Sequence, residues 1–595
     1  MMRPDNPLIV QSDRSLMLHT VRAVVDAKGH AARDASGQPM TEEHPRFAAA
    51  RDALAAFAEL EKSPDYLHTY RITPVSIWNA AALGFTAAQI GATLEEFSCV
   101  PVPRRVLDDV RDWIGRYGLL KIERRLLEGG AQRFELVSQS PEALKDVLGH
   151  EAVRKLCTTD AKARVWIEPL QRGSIKQVLI KIGYPVEDRG GYLDGDALKI
   201  ELRDVGRNGR AFKPRAYQTQ AAAAFHASGT VAGGNGVIVL PCGAGKTVVA
   251  LCVMNLVGAK TLVLTTNTVA VHQWRDELLD KTSLQPHEVG EYTGDSKTIA
   301  PVTITTYQML TWRRSKTEAF EHFELFGKQN WGLVVYDEVH LLPAPVFRAT
   351  ADLQARRRLG LTATLVREDG KEDEVFCLIG PKRFDVPWKV LEGQGFIAAA
   401  TCTEVRVPLA DDCKVQYVSA SARGKFRVAS ENPAKTHVVE RILEKHRGAH
   451  VLVIGQYIDQ LNALQLRLNA PLITGKTPQS EREKLYAAFK SGAISVLIVS
   501  KVGNFAVDLP EANVAIQISG TFGSRQEEAQ RLGRILRPKA DGSAAAFYSI
   551  VTLGSRDQEF SEKRQLFLTE QGYSYEILEA AAFGEGASAA TEGRA

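Results

Sequence analysis

The sequence predicts an α/β chain built on two consecutive parallel sheets with crossover helices, preceded by a helical region and a small α+β region. Three observations predict this. From about residue 206 onward, short apolar runs of strand type alternate with helical patterns, the order that builds strand–helix–strand units. The runs form two sets: GVIVL, TLVLT, VTITT, GLVVY and GLTAT, then, after a more charged break at residues 365–445, VLVIG, SVLIV, VAIQI and AAFYSIV. The chain has 595 residues, more than the roughly 250–300 that one core organises.

Taken in order, residues 1–135 read as a helical domain. TAAQIGATLEEF and PRRVLDDVRDWIGRYG are helical patterns followed by the strand-like LLKIERR, an order that resembles a winged helix with Arg104, Arg105, Arg111 and Arg116 on or near its second helix. An ordinary helical bundle with solvated arginines fits the same pattern. Residues 136–205 read as a small α+β unit from VWIEP, SIKQVLIKIG and ALKIEL. The sheets occupy 206–395 and 396–577, and the small-residue tail 578–595 is expected to be disordered.

Apolar residues at 45% and charged residues at 24% are ordinary for a soluble globular chain. No apolar run approaches the roughly 18 residues of a membrane span, and the N-terminus lacks a signal-like apolar stretch, so a cytoplasmic enzyme is expected. The seven cysteines are scattered without a CxxC pair, which supports neither a disulfide framework nor a zinc site. A net charge of +4 is weakly basic, so nucleic-acid affinity must come from local Lys and Arg placement.

The most informative segment is GVIVLPCGAGKTVVA at 236–250. A strand enters a loop in which Gly243, Ala244 and Gly245 can curl backbone N–H groups around phosphate oxygens, and a helix follows at once. Lys246 is placed to reach β- and γ-phosphates and the Thr247 hydroxyl to ligate Mg2+. Leu240 stands where the full GxxxxGK[ST] pattern has its first glycine. Downstream, WGLVVYDEVHLL sets Asp337 and Glu338 at the C-terminal end of a buried strand, where ligands of open α/β sheets bind. Asp337 suits the metal, and Glu338 the polarisation of an attacking water. Phe212, Arg215, Tyr217 and Gln218 can form an adenine pocket. TTNTVAVHQW, with Thr266, and TTYQML, with Thr306, follow strands and can touch a sugar-phosphate backbone. Thr362, Ala363 and Thr364 can couple the nucleotide site to the second sheet. Arg534 and Arg537 in QRLGRILR share a helix face and can reach a γ-phosphate across a cleft.

Together LPCGAGKT, DEVH, LTATLVREDG, SKVG followed by DLPEANV, QEEAQRLGRILR and QGYSYEIL, in that order, resemble the superfamily-two helicases and, within them, the XPB family. HTYRITPVSIWNAA and VPRRVLDDVRDWIGRYGLLKI resemble that family's N-terminal domain. The resemblance implies two tandem RecA-like motor domains, ATP and Mg2+ as cofactors, and a 3′-to-5′ DNA helicase or translocase that opens duplex DNA in repair. It adds Gln530 to the catalytic set and Asp508 to the nucleotide-binding set, and it assigns Arg367, Glu368 and Asp369 to strand opening. It implies a DNA-gripping thumb over 411–434, with Lys414, Arg423, Lys425 and Arg427, and a damage-recognition domain at 136–205. DNA is the implied partner, together with a nuclease or repair factor, and a monomer is expected. Asn504 and Phe505 depart from the family's acid and hydroxyl after SKVG, and the thumb is only modestly basic. The motor motifs leave open an RNA helicase or a duplex translocase; a scaffold with an inactive motor is the alternative of another class.

Overall fold

The computed structural model describes residues 3–581 apart from 4, 25–31, 34–39, 63–65, 83, 127–131, 168–170, 190–194, 230–232, 315–321, 323–325, 327–328, 342–354, 356, 364–374, 376–377, 381, 501–511, 521–527, 529–530, 534 and 537–543. It divides into two compact units: residues 1–240 with 245–385, and 241–244 with 386–595. No helix among the described residues is long and apolar enough to cross a membrane.

In the first unit, Leu8–Val10, Ser15–His19, Leu67–Arg71 and Glu59–Lys62 form an antiparallel sheet that a purely helical reading of this region does not foresee. Its core, including Leu16, Leu18 and Leu54, continues into Ile90 and Leu94 of helix Ala87–Phe97 and Val106 of helix Arg104–Arg116. Those two helices lie where the sequence sets them, the first started by a Thr86–Gln89 capping box. Arg111 is paired with Asp108 at 2.7 Å.

The strand expected to complete a winged helix belongs elsewhere. Leu120–Leu126 pairs with Gln132–Ser138 and with Val186–Arg189 in a five-stranded sheet, because its inward residues Leu120 and Ile122 share a core with Val147, Val165, Ile175 and Leu179. This sheet spans the expected boundary at 135/136. ALKIEL is a second difference. It lies as a strap along the next domain, with Leu198 N–H donating to Gly258 O at 2.9 Å and isolated bridges pairing Ala197 with Ala259 and Leu202 with Thr282.

The first motor sheet comprises β1 (Asn235–Val239), β2 (Thr261–Thr265), β3 (Val289–Tyr292), β4 (Val302–Thr306), β5 (Leu333–Tyr336), β6 (Arg357–Thr362) and β7 (Lys382–Asp385), in the order β3-β4-β2-β5-β6-β1-β7, every pairing parallel. β2, β4 and β5 are buried at every residue, as strands covered by helices on both faces must be.

The second unit repeats the plan with β8 (Ala400–Val407), β9 (Val451–Gly455), β10 (Leu472–Ile473), β11 (Val496–Ser500), β12 (Val514–Gln517), β13 (Ala545–Thr552) and β14 (Tyr575–Glu579), in the order β10-β11-β9-β12-β13-β8-β14. Each of the nine apolar runs contributes a strand. The five added strands are short or lie at or beside a sheet edge, where burial patterns weaken. The unit begins ahead of the expected boundary at 395/396 because Trp388, 2% exposed, packs edge-on against Tyr573 at 6.3 Å. β14 runs to Glu579, two residues into the expected tail, whose residues from 582 on lie outside the described ones.

Candidate active site

β1 hands the chain to Leu240, whose N–H donates to Thr362 O at 3.0 Å, so the loop leaves beside the end of β6. Gly243 and Gly245 adopt φ of 81° and 77°, which side chains avoid. A Cβ at 245 would also stand 2.6 Å from Gln218 Nε2. Gly245 is the N-cap of α1 (Lys246–Val257), and Gly258, at φ 60°, closes that helix by donating to Met254 O at 2.9 Å. Val249–Met254 are buried without a break, so α1 is a central helix that fixes the direction of its N-terminal amides. Thr247 sits half-buried in its first turn.

Gln218 is positioned by helix Ala216–His226, with Oε1 accepting from Arg215 N–H at 2.8 Å and the Arg215 guanidinium donating to Tyr217 Oη at 3.3 Å. The Gln218 amide thus lies against the last glycine of the phosphate loop. Phe212 carries Lys281 Nζ 5.7 Å over its ring.

β5 delivers Asp337, whose N–H extends the ladder to Leu264 O at 2.9 Å. Glu338 then adopts φ 48°, a left-handed turn costing about 1–2 kcal/mol for a side-chain-bearing residue. The turn places Glu338 Oε1 3.1 Å from Lys246 Nζ and Oε2 3.4 Å from His340 Nδ1. Asp337 is half-buried and its Oδ2 accepts from Trp274 Nε1–H at 2.9 Å, while its carbonyl accepts from the Tyr307 hydroxyl at 2.7 Å. Burial, then the charge of Glu338, raises the Asp337 pKa from 3.8 to about 6, against the lowering effects of Trp274 and Lys246. Two adjacent carboxylates, one desolvated and disfavoured as an anion by its neighbour, are a donor set that a divalent cation relieves. No cluster of three or more His, Cys, Asp or Glu among the described residues could hold a metal. Magnesium takes one or two carboxylates together with substrate phosphates, and Asp337 with the Thr247 hydroxyl is of that donor type.

His340, 4% exposed, bonds through Nδ1 to Thr362 Oγ1 at 2.7 Å, which ties the DEVH segment to the end of β6. Sequence reasoning missed Trp274, Tyr307 and His340 as members of the site; the one available signal was an apolar-bodied donor within each motif.

The remaining expectations separate. Thr266 is half-buried at the end of β2 and accepts from Asn267 Nδ2 at 3.0 Å. Thr306 is buried, and its hydroxyl caps helix Tyr307–Leu310 by accepting from Met309 N–H at 3.2 Å, so it is not presented to a backbone. In the second unit the expected thumb is a pair of helices, Asp411–Ser419 and Ala422–Ser430, with Lys425 Nζ 5.8 Å over Tyr417. Lys414 and Arg427 are in ion pairs with Asp411 and with Glu431 and Asp459. Thr364, Arg367, Glu368, Asp369, Asn504, Phe505, Asp508, Gln530, Arg534 and Arg537 lie outside the described residues.

With this geometry in place, the chain can be set beside known proteins. It is 50% identical over 577 residues to a DNA 3'-5' helicase XPB of Kineococcus radiotolerans, covering 97% of each chain. The chain belongs to the XPB family. A Mycobacterium tuberculosis protein of the same description is 50% identical over 97% of this chain and 98% of its own. A General transcription and DNA repair factor IIH helicase/translocase subunit XPB of Antonospora locustae is 36% identical over 89% of this chain and 78% of its own. The family described as ERCC3/RAD25/XPB C-terminal helicase matches residues 391–590, Type III restriction enzyme, res subunit, matches 211–367, and Helicase conserved C-terminal domain matches 35–162. The two parallel sheets are therefore the tandem RecA-like helicase domains expected from the motifs.

Proposed function

We propose that this chain is an ATP-driven 3′-to-5′ DNA helicase acting in DNA repair. The observation that carries the reading is the joining, at the C-terminal ends of β1 and β5, of a glycine-bent loop, Lys246 and the Asp337–Glu338 pair, in a chain half identical to relatives described as DNA 3'-5' helicases. The amides of Gly243–Thr247 and Lys246 bind the triphosphate. A magnesium ion on Thr247 and Asp337 would neutralise charge on the phosphates. Lys246 exchanges Glu338 for phosphate oxygens, which frees that carboxylate to orient water. The family's motifs assign charge stabilisation to Arg534 and Arg537, with Gln530, and a part in nucleotide binding to Asp508. Trp274 and Tyr307 belong to the two segments read as backbone contacts and both touch Asp337, so those segments are tied to the hydrolytic site through buried side chains. The repair role and a nuclease or repair factor as partner rest on the family.

A forked duplex unwound with ATP, with the single-stranded tail on either polarity, tests the reading. Opening only from a 3′ tail, and only with ATP, is expected. DNA-stimulated hydrolysis without strand separation would replace the helicase by a duplex translocase, and stimulation by RNA alone would replace DNA as the track.

A further inference from the structure

The first motor domain contains an aromatic column running from core to surface that the motor motifs do not use. Phe326 is fully buried, and Tyr292, at the end of β3, meets it edge-on with centroids 5.0 Å apart. His322 meets Tyr292 edge-on at 5.5 Å, and a 3.0 Å hydrogen bond joins its Nδ1 to the Tyr292 hydroxyl. Trp312 stacks on His322 at 5.6 Å with 29° between the planes, and ends the column 44% exposed. An indole backed by a stack rooted in the core has a fixed orientation, so a flat partner laid on it would cost little side-chain entropy.

The position and the charge around it point to one kind of partner. Trp312 follows the short helix that leaves the C-terminal end of β4, between β3, which ends in Tyr292, and β2, which leads to Thr266. That edge is where open α/β sheets bind ligands. Lys297 sits exposed with Nζ 4.6 Å over the Tyr292 ring, and Arg313 and Arg314 are exposed beside Trp312. An exposed ring among cations is how single-stranded nucleic acid is held, with bases stacked on aromatics and phosphates met by Lys and Arg.

We propose that Trp312 is a stacking platform for an unpaired base of the strand the motor tracks, with Lys297, Arg313 and Arg314 meeting its phosphates; this rests on the reading of the chain as a DNA motor. Bases inside a duplex have both faces covered, so the platform selects single-stranded DNA. Contacts made only to sugar and phosphate cannot distinguish a nucleotide from an abasic unit, whereas a stacking indole must.

The test is equilibrium binding of the full chain to an oligo-dT and to an abasic oligomer of the same length. The parent is expected to prefer oligo-dT by about fivefold or more, Trp312→Ala to lose that preference while binding the abasic oligomer as the parent does, and Trp312→Phe to keep most of it. A parent with DNA-stimulated ATPase but no preference for bases, or a Trp312→Ala variant that retains the preference, overturns the platform. A blunt duplex competing as well as oligo-dT overturns the selection of single strands. A parent that hydrolyses ATP without any response to DNA overturns the underlying motor reading instead.

Discussion

Glu338→Gln removes one charge from the site and almost no volume. In the structure this carboxylate does two things: it holds Lys246 at 3.1 Å, and after burial it is the largest cause of the raised pKa of Asp337. In the proposed cycle it also orients water. Loss of a positioned general base costs about 10²–10⁴ in rate. The Lys246 pair, with side chains 12% and 25% exposed, lies between exposed pairs, worth about 0–1 kcal/mol, and buried ones. Breaking it when phosphate binds therefore costs about 1–2 kcal/mol, and its removal should tighten nucleotide binding roughly 5- to 30-fold. The rate loss outweighs the gain in affinity, so the variant should be a tight, slow trap. Single-turnover hydrolysis, paired with titration of a fluorescent ATP analogue and magnesium, reads both quantities. Turnover within a few-fold of the parent, or weaker nucleotide binding, would refute the roles given to Glu338.

The other predictions concern the same lobe and the motif beside it. Burial and the charge of Glu338 push the Asp337 pKa up from 3.8 to about 6, so its ionised form costs stability at neutral pH, and that cost is relieved progressively as pH falls from about 6 toward 3.8. Magnesium-dependent nucleotide binding, which needs the anion, should weaken over the same window. Glu338→Gln should move that midpoint down and Trp274→Phe, which deletes the indole donor, should move it up; three coincident midpoints in a binding titration would contradict this. Gly245→Ala combines a φ of 77° with a Cβ 2.6 Å from Gln218 Nε2, and should raise the KM for ATP at least about tenfold. Gly258→Ala, at φ 60° with its nearest neighbour 3.8 Å away, should cost thermal stability and leave KM in place. Thr362→Val removes the 2.7 Å bond to buried His340 and should destabilise the domain by about 1–3 kcal/mol in calorimetry, with Thr362→Ser close to the parent. Replacing Arg367, Glu368 and Asp369 together should spare ATPase and impair strand separation on a forked duplex; equal loss of both would remove these residues from the opening step.

The sequence by itself determined the two parallel sheets, the phosphate loop and the DEVH carboxylates. Each is written locally: buried parallel strands are continuous apolar runs, a phosphate loop needs glycines at fixed spacing, and the metal carboxylate follows its strand directly. The family, too, was legible, because the order of motifs is a property of the chain. Only the tertiary structure decided which side chains meet. Leu120–Leu126 reads as a wing when seen beside the preceding helices, and becomes a strand of the next sheet because Leu120 and Ile122 find their core there. Thr306 reads as a free hydroxyl and is consumed by its own helix cap. Trp274 and Asp337, sixty-three positions apart, share a hydrogen bond that no local pattern announces. Long-range pairing of this kind depends on register and packing between elements, which a linear pattern does not encode.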